Sequence, residues 1–315
     1  MSDRIKLAVT GALGHIGSAL IRALPTRLPV DLVLIDDLST QRYAALFDLP
    51  AACRFHEADV TRDPLEPLFE GADAVVHLAA ITDAPRSFAR RAETERVNLG
   101  GTRRVAEAAA KVGAGLIFPS STSVYGTQAD VVDEDCAPEE LAPQSPYAEI
   151  KLVEERALAA LAERAGLKHV VCRFGTIFGF SPGMRFHTAV NKFCWQATFG
   201  TPLTVWRTAL DQKRPYLDLR DAVAAVAHIV ERRLFDGRVY NVLTANHTVR
   251  DVVGAIRATV PDLQVELVDA RIMNQLSYDV SDARIRATGF TPRGDLESGV
   301  GETLRRLAAA AGRGA

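Results

Sequence analysis

Short apolar segments alternate with longer helical segments through the first half of this 315-residue chain. Segments with the length and apolar content of strands lie at 5–10, 31–36, 53–58, 74–78, 116–120 and 169–174. Helical segments lie between some of them, at 14–24, 90–112 and 147–164. Strands joined by crossover helices run parallel, because each helix returns the chain to the same end of the sheet. The alternation therefore predicts an α/β fold, a Rossmann-type doubly wound parallel sheet.

The alternation is lost after Gly175, where glycine, proline and aromatic residues become more frequent, and it returns partly from 216. We predict a dinucleotide-binding Rossmann domain made of residues 1–174 and 216–243. Residues 175–215 and 244–315 are predicted to form a smaller interleaved α/β domain that binds the substrate. No internal repeat or low-complexity linker separates the two.

Charge and cysteine content exclude several classes of partner. The 37 basic and 39 acidic residues give a net charge of −2, so the chain has no general attraction to nucleic acid or to an anionic membrane. The four cysteines have no CxxC spacing, so neither a metal site nor a disulfide framework is expected. With no signal-like segment and no long apolar run, we expect a soluble cytoplasmic protein without a membrane partner.

The first strand leads directly into a glycine-rich turn and a helix, as TGALGHIG. Glycines at such a turn let the backbone approach a pyrophosphate, which the free N–H groups of the helix N-terminus then bind. At the end of the second strand, a carboxylate of Asp36 can accept hydrogen bonds from ribose hydroxyls and repel a 2′-phosphate, which favours NAD over NADP. The predicted contacts in this part of the cofactor site are Gly11, Gly14, His15, Ile16, Gly17, Asp36 and Asp37.

Tyr147 and Lys151 lie one helical turn apart, on the same face of the predicted helix. An ordinary tyrosine, with a pKa of about 10, is a poor base near neutral pH, but a neighbouring ammonium stabilises the phenolate. The hydroxyl-rich segment 120–125 follows a predicted parallel strand, at the edge where open α/β sheets bind ligands. Either pattern alone is common; together they indicate an acid/base site.

In order along the chain, the motifs TGALGHIG, LIDD, HEADV, VVHLAA, VNLGGT, PSSTSVYG, SPYAEIK and KRPYLDLRDAV resemble those of the extended short-chain dehydrogenase/reductase family. Within that family the chain is similar to NAD-dependent nucleotide-sugar epimerases and dehydratases of the UDP-glucose 4-epimerase-like kind. The resemblance implies that Ser121, Tyr147 and Lys151 are catalytic, with Ser121 also touching substrate and the other two touching NAD. It further implies cofactor contacts from Asp59, Val60, Leu78, Ala79, Ala80 and Asn98. His77, on an apolar strand, is expected to be a hydrogen-bonded core residue.

An anionic substrate needs a local cationic patch. Residues 183–215 hold five basic residues against one acid, Asp211, a local balance of +4. Arg214 matches the arginine that binds the diphosphate in similar proteins, and Thr176 stands where related epimerases usually have asparagine. The predicted substrate contacts beyond Ser121 are Thr176, Arg185, Asn191, Val205, Arg214 and Arg271.

Similar dehydratases carry an acidic pair directly after the catalytic hydroxyl residue, whereas this chain has Thr122 and Ser123. Hydroxyls are too weak as bases to remove a proton from carbon, which disfavours 4,6-dehydration. We therefore expect C4 epimerisation of a nucleoside-diphosphate sugar, a UDP-hexose first, through a transient 4-keto intermediate. Alternatives are a nucleotide-sugar reductase or dehydrogenase, a 4,6-dehydratase of the same family and a non-catalytic NAD-binding sensor. A homodimer through helices 98–112 and 147–164 is also predicted.

Overall fold

A computed structural model describes residues 4–126, 130–269 and 277–312. Seven parallel strands form its central sheet, in the order β3-β2-β1-β4-β5-β7-β11. They are β1 Ile5–Thr10, β2 Val30–Asp36, β3 Cys53–Glu57, β4 Ala74–His77, β5 Gly115–Ser121, β7 His169–Phe174 and β11 Val239–Val242. The strand order reverses between β1 and β4, the place where doubly wound sheets bind ligands. The predicted Rossmann-type fold is confirmed.

Helices cover both faces of this sheet, which explains why its strands are apolar on both sides. On one face α1 (His15–Arg27) and α8 (Leu219–Arg232) pack together over one apolar core. On the other face α2 (Glu66–Phe69), α5 (Gly101–Val112) and α6 (Pro146–Ala165) cover a second core. Ser145 caps α6, because its side chain accepts a hydrogen bond from Ala148 N, and Pro146 occupies the first turn.

The predicted helix 90–112 is not continuous. It consists of α4 (Arg91–Glu95), a π-helical turn (Arg96–Gly100) and α5, preceded by the short α3 (Ala84–Ser87). The π-helical turn contains Asn98, whose buried amide bonds to the backbone of Ile81 in the loop after β4. Such turns are frequent at functional sites.

The smaller domain contains a three-stranded sheet in the order β12-β10-β8 and two further strand pairs, β13-β9 and β14-β6. Its strand β10 crosses the predicted boundary at 216 and pairs within the small sheet. The strands are β6 Val131–Val132, β8 Thr176–Phe178, β9 Leu203–Trp206, β10 Lys213–Asp218, β12 Ala245–Thr248, β13 Val265–Val268 and β14 Asp279–Val280. Its helices are α7 Ala189–Thr198, α9 Val249–Thr259 and α11 Leu296–Ala310, whereas α10 Ala283–Arg286 packs against β11 of the central sheet. Helices α7, α9 and α11 enclose the core of this domain.

Candidate active site

The turn between β1 and α1 fits tightly against the end of β4. Gly11 has a φ of +64°, and a Cβ there would lie 2.5 Å from Ala79 N, so a larger residue does not fit. No side chain caps α1 at Gly14. The first N–H groups of any α-helix have no acceptor within the helix, and here no capping side chain replaces it. These N–H groups lie beside a cavity. This arrangement fits the pyrophosphate of a dinucleotide.

That cavity, of about 510 Å³, brings together twelve of the predicted cofactor residues. Asp36 lies at its rim, where its carboxylate accepts hydrogen bonds from Leu13 N and Leu38 N, both at 3.0 Å. Burial raises the pKa of Asp36, and these two hydrogen bonds act in the opposite direction. The twelve predicted cofactor residues that line the cavity are Gly11, Gly14, His15, Ile16, Gly17, Asp36, Asp37, Asp59, Val60, Leu78, Ala79 and Ala80.

The variant Gly14→Ala tests whether the glycine turn binds the cofactor, because it should lower NAD affinity in a protein that still folds. A Cβ at Gly14 would lie 3.2 Å from Gly11 O, a much milder contact than the 2.5 Å that a Cβ at Gly17 would make, and it would occupy the approach to the α1 N-terminus. We expect NAD affinity, measured by calorimetry, to fall by about 10- to 100-fold, the equivalent of one charge-assisted hydrogen bond. The matched control Gly17→Ala places a Cβ 2.5 Å from Ala12 O and is expected to destabilise the fold itself. Unchanged NAD affinity in folded Gly14→Ala would contradict this assignment.

Asn98 supports the cofactor cavity from behind. Its fully buried amide group accepts a hydrogen bond from Ile81 N at 2.8 Å and donates one to Ile81 O at 2.9 Å. These bonds fix the loop that follows β4, whose residues 78–83 line the cavity. Asn98 therefore holds the cavity wall, and a direct contact with the cofactor stays a prediction.

The three predicted catalytic residues come from two neighbouring elements. Ser121 ends β5, and its hydroxyl lies 2.8 Å from Ser123 Oγ. Tyr147, half-buried in the first turn of α6, donates its backbone N–H to Ser87 Oγ at 3.2 Å. One turn further, the Lys151 ammonium lies 4.4 Å from the centre of the Phe118 ring. None of the three residues is among those that line the cavity, and their catalytic roles stay predictions.

A buried polar network fixes α6 against the strands that carry Ser121. Glu155 accepts hydrogen bonds from Arg173 Nε at 3.1 Å and Arg173 Nη2 at 2.7 Å, and from Ser120 Oγ. Arg173 Nη1 also donates to Tyr125 Oη at 3.0 Å, and Tyr125 donates to Asn241 Oδ1 at 2.8 Å. Burial raises the pKa of Tyr125, which suits this hydroxyl for a structural role rather than for proton transfer.

Two buried histidines are neutral in the folded protein. Burial lowers the pKa of His15 to about 4 and that of His77 to about 3. His15 Nε2 bonds to Gly179 O at 2.8 Å and so ties the glycine turn to the smaller domain. His77 bonds to Thr10 and Thr102, as expected for a core residue.

These histidines predict acid sensitivity. Below an ordinary pKa of about 6.5 the unfolded chain takes up protons that folded His15 and His77 do not bind, so stability decreases as pH falls. We expect each histidine to lower the free energy of unfolding by up to about 1.4 kcal/mol per pH unit between about pH 6 and pH 5. Urea denaturation of the parent and of His77→Gln measures this effect, and equal pH dependences of the two proteins would refute it.

Some of the basic residues in 183–215 are paired with acids, so they are less available to an anionic substrate than the sequence suggests. Arg207 pairs with Asp269 at 3.2 Å and Lys213 with Asp279 at 2.8 Å. Both acids lie outside residues 183–215, so the local balance of +4 overstates the cationic patch. Arg214 is half-buried and donates to Gln212 Oε1 at 2.8 Å.

The remaining predicted substrate residues lie in different settings. Arg185 lines the cofactor cavity beside Thr82, to which it donates a hydrogen bond. Fully buried Asn191 bonds to Gly179 N and Arg185 O and so shapes that loop. Val205 belongs to the core of the smaller domain, so only its backbone could contact a ligand. Thr176 is half-buried in β8. Arg271 lies outside the described residues.

Some cavity residues could not be assigned from sequence motifs. Arg42 lines the cavity, and its pKa is lowered by burial while the charge of Asp36 opposes this shift. In the sequence, only its position six residues after Asp36 points to this site, because the segment that carries Arg42 matches no motif. Thr82 and His187 also line the cavity. Within 4–126, 130–269 and 277–312, no group of acidic, histidine and cysteine side chains could hold a metal ion, and no helix could span a membrane.

Comparison with known proteins identifies the family. The profile described as NAD dependent epimerase/dehydratase matches residues 7–242. The dTDP-glucose 4,6-dehydratase of Streptomyces griseus is 31% identical over 312 residues, which cover 95% of this chain and 92% of the relative. The chain belongs to the NAD-dependent epimerase/dehydratase family. Members of this family are enzymes that act on nucleotide sugars with NAD.

Other relatives include both reaction types. The UDP-glucose 4-epimerase of Azospirillum brasilense is 31% identical over 245 residues, which cover 71% of this chain and 69% of the relative. MoeE5, solved in complex with UDP-glucuronic acid and NAD, is 28% identical with a TM-score of 0.84, covering 97% of this chain and 99% of that one. The chain spans 46% of the length of a trifunctional UDP-glucose 4,6-dehydratase, epimerase and reductase of Arabidopsis thaliana.

Proposed function

We propose that this family member is an NAD-dependent 4-epimerase of a UDP-hexose. The observation that carries the proposal is the pair of hydroxyls after Ser121. Thr122 is buried and donates to Phe174 O at 3.3 Å, and Ser123 bonds to Ser121. Dehydration needs a base strong enough to take the C5 proton and an acid for the leaving C6 hydroxyl, and neither hydroxyl supplies these.

C4 inversion requires one proton shuttle and a reversible hydride transfer. Bound NAD supplies the hydride acceptor and donor. Tyr147 takes the proton from the C4 hydroxyl as the carbinol is oxidised and returns it to O4 after the 4-keto sugar has turned over. Ser121 bonds to the same oxygen, and Lys151 stabilises the ionised tyrosine. The residues that would hold the cofactor are those of the cavity, with the α1 N-terminus at the pyrophosphate.

Arg185 and Arg214 are the proposed cations for the anionic substrate. Among the described residues, the buried Nε of Arg185 finds no hydrogen-bond acceptor. Burial lowers the pKa of Arg185 to about 10, which leaves it charged at neutral pH and in need of an anion. Since Arg185 lines the cofactor cavity and interacts electrostatically with Tyr147, a diphosphate or a sugar carboxylate fits it. MoeE5 binds UDP-glucuronic acid, so a UDP-uronate belongs among the first substrates to test.

A panel of UDP-hexoses, UDP-N-acetylhexosamines and UDP-uronates tests the proposal, with product configuration read by NMR. We expect C4 inversion of at least one sugar without a net change in NADH absorbance. A steady change in that absorbance would instead identify a reductase or dehydrogenase. No inverted product from any member of the panel would refute the proposal.

A 4,6-dehydratase is the second candidate, favoured by the 31% identity to the Streptomyces griseus enzyme over most of both chains. A 4-keto-6-deoxy product from UDP- or dTDP-glucose would establish it. In that case an acid/base pair outside positions 122–123 would have to serve C5 and C6.

We further propose a homodimer through helices 98–112 and 147–164. A groove of about 390 Å³ between α5 and α6 is lined partly by small apolar side chains, including Ala106, Ala157 and Ala160. A second copy of the same helix pair would cover this surface. Light scattering should give twice the monomer mass, and a monomeric mass at micromolar concentration would refute the dimer.

A further inference from the structure

Lys151 is paired with a buried carboxylate that no motif pointed to. Its ammonium lies 3.1 Å from Glu154 Oε2, and the two side chains are 4% and 0% exposed. Among the described residues this oxygen makes no hydrogen bond, so the Lys151 ammonium is its partner. The next residue, Glu155, belongs to the separate Arg173 network. Glu154 is therefore the acid that neighbours the proposed catalytic lysine.

The other oxygen of Glu154 ends a chain of hydrogen bonds that begins at β1. Thr102 donates its hydroxyl proton to Glu154 Oε1 at 2.5 Å. Thr102 Oγ1 must then accept from His77 Nε2 at 3.1 Å, which leaves His77 Nδ1 to accept from Thr10 Oγ1 at 2.7 Å. Thr10 Oγ1 in turn accepts from Ala79 N at 3.4 Å.

Every donor in this chain points toward Glu154. His77 contributes no charge, because burial and the nearby Lys151 ammonium lower its pKa to about 3. A hydrogen-bond chain that ends in this direction needs an acceptor at its end, which Glu154 Oε1 supplies, while Glu154 Oε2 faces the Lys151 ammonium at 3.1 Å. Glu154 and Lys151 therefore form a buried anion–cation pair, oriented by residues of β1, β4 and α5.

We propose that Glu154 is a positioning residue for Lys151: it holds the ammonium in place and offsets part of the positive charge that acts on Tyr147. This inference rests on the proposed acid/base role of Tyr147. The Glu154 carboxylate lies 3.1 Å from the ammonium that the proposed function assigns to the ionised tyrosine, so its negative charge opposes that stabilisation. Two further charged or titratable groups act on this site: His77 from β4, which feels the Lys151 ammonium, and Arg185 from the loop before α7, which interacts electrostatically with Tyr147.

Glu154→Gln in the NAD-loaded enzyme tests the charge effect. We expect the pH at which kcat falls, on the acid side of its pH profile, to be lower by about one pH unit. Glu154→Asp, which keeps the charge, should retain the parent profile, and the matched control Glu163→Gln, an exposed position of the same helix, should do so too. An unchanged pH for this fall in Glu154→Gln, or a higher one, would overturn the proposal.

A substrate-free measurement separates this inference from the proposed function. The ultraviolet absorbance of tyrosinate, taken as the difference between each protein and its Tyr147→Phe counterpart, should develop at lower pH in Glu154→Gln than in the parent. If Glu154→Gln does not fold, Thr102→Val/Glu154→Leu takes its place, because it removes the carboxylate together with the hydroxyl that donates to it. The tyrosinate should again develop at lower pH than in the parent, and equal midpoints would overturn the proposal whichever sugar the enzyme uses.

Discussion

Tyr147→Phe is expected to lower kcat by about 10²- to 10⁴-fold, the usual contribution of a positioned general acid/base. The substitution removes only the phenolic oxygen, and Tyr147 makes its described hydrogen bond through its backbone N–H, which phenylalanine retains. Folding should therefore be preserved. NAD should still be bound, because the twelve predicted cofactor residues that line the cavity are untouched even if the predicted contact of Tyr147 with NAD is weakened.

Steady-state kinetics on a substrate found in the panel measures this effect, with bound NAD quantified in the same preparation. The matched control is Tyr43→Phe, because Tyr43 is half exposed and lies outside the cavity. We expect parent activity from the control. A Tyr147→Phe enzyme that retained more than about one-tenth of the parent kcat would remove Tyr147 from the mechanism.

Glu155→Ala is expected to reduce the free energy of unfolding by about 3–5 kcal/mol, because it leaves the guanidinium of Arg173 buried without its anion. The two side chains are 8% and 5% exposed, respectively, and their ion pair joins α6 to β7. The same change also removes the acceptor of the Ser120 hydroxyl, next to Ser121. Loss of stability should therefore be accompanied by a less ordered active site.

Chemical denaturation compares this variant with Glu149→Ala on the same helix. Glu149 pairs with Arg91 at 2.6 Å, but the two side chains are 41% and 58% exposed, so its removal should cost less than about 1 kcal/mol. The double variant Glu155→Leu/Arg173→Met removes both charges and should recover much of the loss. Equal destabilisation by Glu155→Ala and Glu149→Ala would contradict the structural role of the buried pair.

The parallel sheet was predictable because its strands are buried on both faces and separated by helices. Two of its strands, Ile5–Thr10 and His169–Phe174, begin and end where the sequence indicated, and the other predicted ends differ by a residue. The break between α4 and α5 was not predictable. It depends on Asn98 bonding to Ile81, a tertiary contact that no helical period records.

The site was predictable where a motif fixes it and not where charges from distant segments meet. The residues predicted to bind the cofactor from the glycine turn and from the end of β2 line one cavity. The cationic patch was overestimated because Asp269 and Asp279, far along the chain, neutralise Arg207 and Lys213. The i, i+3 spacing of Lys151 and Glu154 is visible in the sequence, but their shared burial depends on β4 and α5 packing over them.

The fate of the hydrogen on C4 tests the central proposal most directly. UDP-glucose and UDP-glucuronic acid carrying deuterium at C4 would be incubated with the NAD-loaded enzyme, and the products analysed by NMR. An epimerase returns the hydride to the carbon that lost it, so we predict an inverted sugar with deuterium still at C4. Deuterium at C6 of a 4-keto-6-deoxy sugar, or its loss into free NADH, would contradict C4 epimerisation.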